Sequence, residues 1–456
     1  MSPTSHAGHA QQPIGKVFLV FLVPMMLANI LQSLSGTLNN IFLGHMIGVK
    51  ALAAASAFFP VFLFLISFVM GLGSGASVLI GQAWGARQPE RVRAVAGTTL
   101  TVGMLGGLVV ALFGGGFAHV LLQQLDTPPD IMAEAVGYAR ICLYAMPGFF
   151  AFLLMTTILR GVGDMVTPLR ALVVSTIVGL IVTPALIAGW FGLPELGVNS
   201  AAVGFVTSFL VTFVWLVVYL RRKRHALAPN AELFRHMRID GAILKLVLRI
   251  GIPTAMQMVI MSLAEVALLR MVNHFGSDAT AAYGVGNQVL GYVQFPAMSI
   301  AIAASILGAQ AIGAGHPERL GAITRTGILI NCAITGTLLL LGYIFARPVI
   351  AMFTQSPEAT QIALRLLYIV LWSTLLFGCA AVVSGVMRSS GTVIVPTLLS
   401  ISAILLVEVP VAWIMSARIG TDGVWMAYPA AFFTMLVLQV TYYRLVWRKQ
   451  RIQKLI

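Results

Sequence analysis

The sequence predicts an all-α integral membrane protein, with twelve transmembrane helices in two parallel, pseudo-symmetric halves of six. Three observations lead there. Long apolar runs recur along the whole chain, charge is scarce, and the second half repeats the first at one constant offset, the one that carries Gly48 to Gly276.

The 456 residues are 59% hydrophobic and only 9% charged. A soluble chain of this length needs far more charge to cover its surface. Many of the apolar runs reach the roughly 20 residues needed to cross a hydrocarbon core of about 30 Å. A barrel would instead show alternation in segments of about ten residues. In order, the spans are expected near 16–46, 51–80, 92–122, 132–158, 168–191, 198–220, 244–274, 279–308, 320–350, 358–386, 396–417 and 424–446.

The formal net charge of +14 invites a nucleic-acid reading, but its distribution argues against one. Basic residues gather in short loops and at the C-terminus, next to apolar spans, as orientation signals do. With the N-terminus in the cytoplasm, 22 of the 28 Lys and Arg fall on the inside, including Arg221-Arg222-Lys223-Arg224. Both termini are therefore expected to be cytoplasmic, in what reads as a bacterial inner membrane. Residues 1–15 read as a polar tail without the basic n-region and cleavage site of a signal peptide. The organisation that follows is a tail (1–15), a first lobe (16–222), a basic cytoplasmic linker (223–243), a second lobe (244–446) and a tail (447–456).

The repeat is clearest at the helix ends. Ser77–Arg91 and Ser305–Arg319 are identical at nine of their fifteen positions, among them Gln82 with Gln310 and Pro89-Glu90-Arg91 with Pro317-Glu318-Arg319. The same offset pairs Gly48 with Gly276, Arg160 with Arg388, Gly163 with Gly391 and Pro168 with Pro396. Six spans per repeat is an even number, so both halves enter and leave on one side. They are parallel repeats about an axis along the membrane normal, an arrangement that commonly places a substrate site at the repeat interface.

Buried polar residues carry the functional signal, because hydrocarbon penalises them. Of 14 acids, two lie deep in spans: Glu265 in span 7 and Glu408 in span 11. Gln257 and Ser262 share a helical face with Glu265, at about 80° and 60° from it. That face reads as a proton or cation site towards a cavity, sodium at Glu265 included; a purely structural carboxyl is the alternative. Glu408 lies two residues before Pro410, and a proline inside a helix frees a backbone carbonyl. It reads as a second proton site, or as a hydrogen-bonded lock to a neighbouring helix. In span 1, Asn29, Gln32, Gly36, Asn39 and Asn40 form a polar stripe at steps of three and four. Gln32, Asn39 and Asn40 are read as cavity-lining, with Asn287, Gln288 and Tyr292 of span 8 as a weaker group of the same kind. The 25 Phe and 21 Met suit a pocket for varied apolar ligands, although core and lipid-facing packing accounts for most of them.

Other motifs carry less. Cys142, Cys332 and Cys379 lie inside spans without metal-ligand spacing and read as small packing residues. The glycines before Gln82 lack the Lys-Ser/Thr of a phosphate loop and suit close helix approach. No paired His motif and no nucleophile motif supports a membrane-embedded enzyme.

The chain resembles the multidrug and toxic compound extrusion (MATE) family over nearly its full length. The resemblance rests on the two six-helix halves and on local motifs. These are Pro24 and the stretch to Asn39-Asn40-Ile41-Phe42-Leu43-Gly44, GQAWGARQPER, LRGVGDMVTP, AAYGVGNQ and GAQAIGAGHPER. It implies a secondary antiporter that exports cationic or amphipathic compounds in exchange for protons or sodium, by alternating access between two lobes. The implied partners are small organic cations or amphipathic compounds and the bilayer. No cofactor beyond the coupling ion and no nucleic acid is expected, and the chain is read as a monomer. Many members carry an Asp in span 1 where this chain has Asn39. Members with a C-lobe cation site often carry acids in spans 7 and 10; Glu265 fits the first, and span 10 has none. The resemblance thus moves coupling towards the second half, with Glu408 as an additional acid. A flippase for lipid-linked or amphipathic precursors is the alternative among carriers. The two deep acids favour cationic cargo.

Overall fold

A computed structural model describes residues 13–192, 195–353 and 356–456. Among the described residues every regular element is helical. Among the described residues eleven helices are long and apolar enough to span a membrane, and a bent pair supplies a twelfth span. The first half contains α1 (Ile14–Phe42), α2 (Val49–Gly85), α3 (Pro89–Val109), the bent α4 (Met132–Tyr144 and Met146–Gly161), α5 (Val166–Ile187) and α6 (Asn199–Arg222). The second contains α7 (Gly241–Asn273), α8 (Ser277–Gly313), α9 (Arg319–Ile344), α10 (Pro357–Ser389), α11 (Ile394–Ile419) and α12 (Ala427–Leu445).

Two expected spans are shorter than their apolar runs. The run 92–122 is helical only to Val109, opens into a wide turn at Val110–Gly114 and resumes as the short helix Ala118–Gln124. Three consecutive glycines, Gly114 to Gly116, supply little to hold a helix there. The run 320–350 breaks after Ile344 and continues as Ala346–Ala351, which contains Pro348.

The bend in α4 has a local cause. Its two pieces meet at 54°, and Pro147 stands one residue into the second piece. Proline has no N–H to donate and its ring crowds the preceding turn. At the equivalent position of α10 stands Leu375, and α10 continues as one span through a tight turn at Leu371–Ser373. Both spans are therefore irregular at the same register, but only the one with proline is sharply bent.

The repeat seen in the sequence is present in the backbone. Left-handed φ values recur at the repeat offset: Gly48 and Gly276 (123° and 97°), Gly163 and Gly391 (91° and 81°), and Gly192 and Gly420 (75° and 68°). At these positions glycine avoids the clash that a Cβ would meet. A fourth pair matches Arg87 (58°) with Gly315 (82°).

Helix contacts repeat as well, with the small residue exchanged between partners. In the first half Gly73 of α2 faces Thr157 of α4; in the second, Gly385 of α10 faces the Ala301 carbonyl of α8. Likewise Gly161 faces Ser77 and Ile80, whereas Gly308 faces Ser389. One glycine per contact is enough to bring two backbones together.

Packing groups Leu27–Ile252 into one compact unit and residues 13–26 with Pro253–Ile456 into another. Pro24 and Pro253 stand near the two divisions, inside α1 and α7. Within the first unit, the start of α7 lies against α2, where Gly75 faces the Val247 carbonyl and Gly251 faces Gly71. Within the second, Phe18 of α1 reaches Gly327 of α9.

The basic linker is docked on the first unit. Arg93 of α3 pairs with Glu232 at 2.8 Å. Thr98 donates to the Arg238 carbonyl at 3.0 Å, and Asn230 caps the short helix Ala231–Arg235. His225 lies 3.7 Å from Asp164. Burial holds the His225 ring below the ordinary histidine range, against the upward pull of Asp164.

Candidate functional site

The two deep acids lie on α7 and α11 of the second unit, and each is placed by its own helix. On α7, Ser262 turns its hydroxyl back to the Met258 carbonyl at 3.1 Å. Gln257 and Ser262 are half-buried, and Glu265 is exposed. On α11 the helix widens into a π-turn at Ile404–Glu408, immediately before Val409-Pro410. Pro410 cannot donate a backbone hydrogen bond, and a π-turn is one way a helix absorbs such a break. Glu408 ends that turn and is only 6% exposed. The break that Pro410 makes in the hydrogen-bond ladder thus appears as a local widening, with the acid at its edge.

Glu265 is close enough to Glu408 for its charge to act there. Two tyrosines share their surroundings. The Tyr283 hydroxyl of α8 donates to the main-chain carbonyl of Glu265 at 3.4 Å. It lies 3.0 Å from the Tyr428 hydroxyl of α12. Each hydroxyl has one proton, so with Tyr283 donating to the carbonyl, Tyr428 donates to Tyr283. Asn287, one turn along α8, is within hydrogen-bonding reach of Tyr283. Tyr283 stacks on Trp425 with ring centres 5.6 Å apart, and Tyr428 leans on Phe432 at 6.1 Å. Aromatic packing of this kind fixes ring orientation, and with it the hydroxyl positions.

The four groups also agree in depth. Glu265 precedes the end of α7, Glu408 precedes the end of α11, Tyr283 follows the start of α8, and Tyr428 follows Thr421. At 1.5 Å per residue each lies about 9–16 Å from the helix end on that same side of the membrane. The repeat offset relates them to Thr37, Leu180, Ala55 and Ser200, none of which is a carboxylic acid or a phenol.

The remaining predicted residues fall elsewhere. Asn287 belongs to the acid cluster, whereas Gln288 and Tyr292 form an exposed pair of their own, with the Gln288 amide donating to the Tyr292 hydroxyl at 3.0 Å. Gln32 and Asn39 lie on the part of α1 that belongs to the first unit, Gln32 exposed and Asn39 half-buried. The side chain of Asn40 lies outside the described residues. On the same helix Ser35 meets Thr176 of α5 at 2.7 Å, so part of the polar stripe serves helix packing. The first unit instead has an aromatic core in which Phe149 packs against Phe62, Phe205 and Phe209.

Sequence reasoning passed over Tyr283 and Tyr428. The signal for Tyr283 was its spacing of four from Asn287, which puts both on one face of α8. Tyr428 had no comparable local signal, because its partner stands on a helix remote in the chain. Among the described residues no group of three or more His, Cys, Asp or Glu is placed to hold a metal ion. The site is therefore one of two carboxyls, two phenols and an amide, suited to taking up a proton or a small hard cation.

Known proteins agree with this architecture. The MatE family model matches twice, at residues 24–185 and 253–414. A probable multidrug resistance protein of Bacillus subtilis, YoeA, is 47% identical over 96% of this chain and 95% of its own length. A second relative, the probable multidrug resistance protein NorM of Thermotoga maritima, is 25% identical over 97% of this chain and 96% of its own. Among solved structures, a mutant of the Vibrio cholerae MATE transporter VcmN superposes with a TM-score of 0.89 at 19% identity, covering 96% of this chain and 98% of that one. The chain belongs to the MatE family and is a multi-pass membrane protein of the multidrug efflux transporter type.

Proposed function

We propose that this protein is a secondary antiporter that exports cationic or amphipathic compounds in exchange for protons, with sodium as the second candidate ion. The observation that supports this most is the pairing of Glu265 with Glu408 in one cluster beside Tyr283 and Tyr428. Two carboxyls within reach of each other resist being ionised together, so a cation taken up there relieves their repulsion. For exchange, ion and cargo must have different affinities for the two facing states of the carrier. Protons are favoured over sodium because a dry sodium site wants several oxygen ligands, and α10 supplies no acid beyond Glu358 at its very start. The carrier is read as a monomer in the bacterial cytoplasmic membrane with both termini inside, in keeping with the placement of 22 of 28 basic residues.

The test is transport in proteoliposomes with proton and sodium gradients imposed independently and several cationic dyes as cargo. Dye movement driven by the proton gradient alone, and lost in Glu265→Gln, is the expected result. Dye movement indifferent to both gradients would overturn the antiporter reading. Movement of lipid-linked precursors in its place would favour a flippase.

A further inference from the structure

The three cysteines are equivalent in sequence and unequal in space. Cys142 is buried by itself in the first unit. Cys332 of α9 and Cys379 of α10 stand on neighbouring helices of the second unit, near enough for the two thiols to influence each other. Asn331, next to Cys332 in the chain, holds the two helices together here: it donates from Nδ2 to Cys379 Sγ at 3.5 Å and to the Leu375 carbonyl at 3.2 Å. Asn331 is fully buried and its Oδ1 accepts from Thr335 at 2.9 Å, so the amide is held and Cys379 is held with it. Cys332 is exposed and Cys379 half-buried. Cys332 stands at the midpoint of α9, so the pair lies near the middle of the span, at the level of the lipid chains. The repeat offset relates the two positions to Met104 and Ala151, so the pair is a property of the second half alone.

We propose that Cys332 and Cys379 form a dithiol site that captures a divalent thiophilic ion in two-coordinate form, for which Hg(II) is the probe. Charge and coordination number select this class. Two thiolates carry two negative charges, so a divalent ion gives a neutral complex. A monovalent soft ion leaves a net charge in hydrocarbon, which is costly. Zinc is divalent but wants four ligands, and among the described residues no third His, Cys, Asp or Glu joins the pair. Hg(II) is satisfied by two sulfurs in line, and its neutral chloride dissolves in an apolar phase. The reaction balances as HgCl2 with two thiols giving the bis-thiolate, two protons and two chlorides, with no change of oxidation state. The Asn331 amide remains as a hydrogen-bond donor to the Cys379 sulfur after its proton leaves.

The test uses the full-length protein in Cys142→Ser form, exposed to HgCl2 and weighed intact by mass spectrometry. A bridged bis-thiolate retains no chloride, whereas capture by one thiol retains one. One chloride-free mercury per molecule is expected. Cys332→Ser and Cys379→Ser should each give only the chloride-retaining adduct, released by at least about tenfold less competing monothiol. Because a serine variant can misfold, the wild-type protein is also treated in intact membranes with a short bifunctional thiol reagent and digested. A cross-linked peptide joining positions 332 and 379 is expected. Two mercuries per Cys142→Ser molecule, or no such cross-link in correctly eluting wild-type protein, overturns the proposal.

Discussion

At the scale of single residues, the second unit holds an asymmetry that the scaffold does not require. Glu265, Glu408, Tyr283 and Tyr428 stand where the first half has Thr37, Leu180, Ala55 and Ser200. Glu265 is exposed and Glu408 buried, so the two carboxyls meet an incoming cation in unlike surroundings. Glu265→Gln should lower gradient-driven efflux by more than about tenfold while leaving the protein in the membrane, because it removes the accessible negative charge at the site. Dye efflux and membrane-fraction abundance measured side by side check this, and unchanged efflux removes Glu265 from the coupling site. Glu408→Gln should alter the pH profile of transport, since it removes the second titratable carboxyl of the cluster, the one on which Glu265 acts. An identical pH profile in the variant and the parent protein assigns Glu408 to packing. Tyr428→Phe removes one hydroxyl from a pair 3.0 Å apart. It should cost about 1 kcal/mol of stability, the usual net value of one hydrogen bond. Thermal unfolding in detergent measures that, and a cost near zero would show that the pair is not formed in the membrane.

At the scale of helices, what could be read from sequence depended on whether the signal was local. The turn glycines were legible as a repeat because each pair needs the same left-handed backbone, as Gly48 and Gly276 do. Glu408 beside Pro410 was legible as a disturbed helix, although not as a π-turn. The bend in α4 was hidden, because the residues on both sides of Pro147 are equally apolar and composition carries no record of direction. The sequence reads Asn287 and Gln288 as one group, yet adjacent helical residues point about 100° apart: Asn287 joins Tyr283, and Gln288 pairs with Tyr292. The meeting of Cys332 with Cys379 was hidden for the same reason as Tyr283 with Tyr428: it depends on which helices become neighbours. Those neighbours are set by small residues, and this can be tested. A Cβ at Gly385 meets the main-chain carbonyl of Ala301, whereas one at Gly73 meets the side chain of Thr157. Side chains can turn aside and a helix backbone cannot. Gly385→Ala should therefore destabilise by about 1–3 kcal/mol, the usual cost of overpacking, and Gly73→Ala by less. Thermal unfolding of the two variants in one detergent compares them directly, and an equal or reversed order shows that α8 and α10 can separate to make room.

At the scale of the whole molecule, the two halves share one backbone plan and differ in the chemistry they carry. The first unit has an aromatic core around Phe149 and an α1 stripe of amides and hydroxyls that do not titrate. The second has the carboxyl and phenol cluster. If coupling belongs to the second unit alone, changes in the first should affect which cargo is carried but not how the ion drives it. Asn39→Ala and Gln32→Ala should shift the apparent affinity for individual dyes by a few-fold, leaving the pH profile and the dependence on the proton gradient unchanged. Glu265→Gln should do the reverse, losing gradient dependence for every dye alike. Proteoliposomes with the proton and sodium gradients set separately distinguish these cases within one experiment. A pH profile that moves with Asn39→Ala would place part of the coupling machinery in the first half. It would mean that the inequality of the two halves lies in the identity of their polar groups, and not in which half handles the ion.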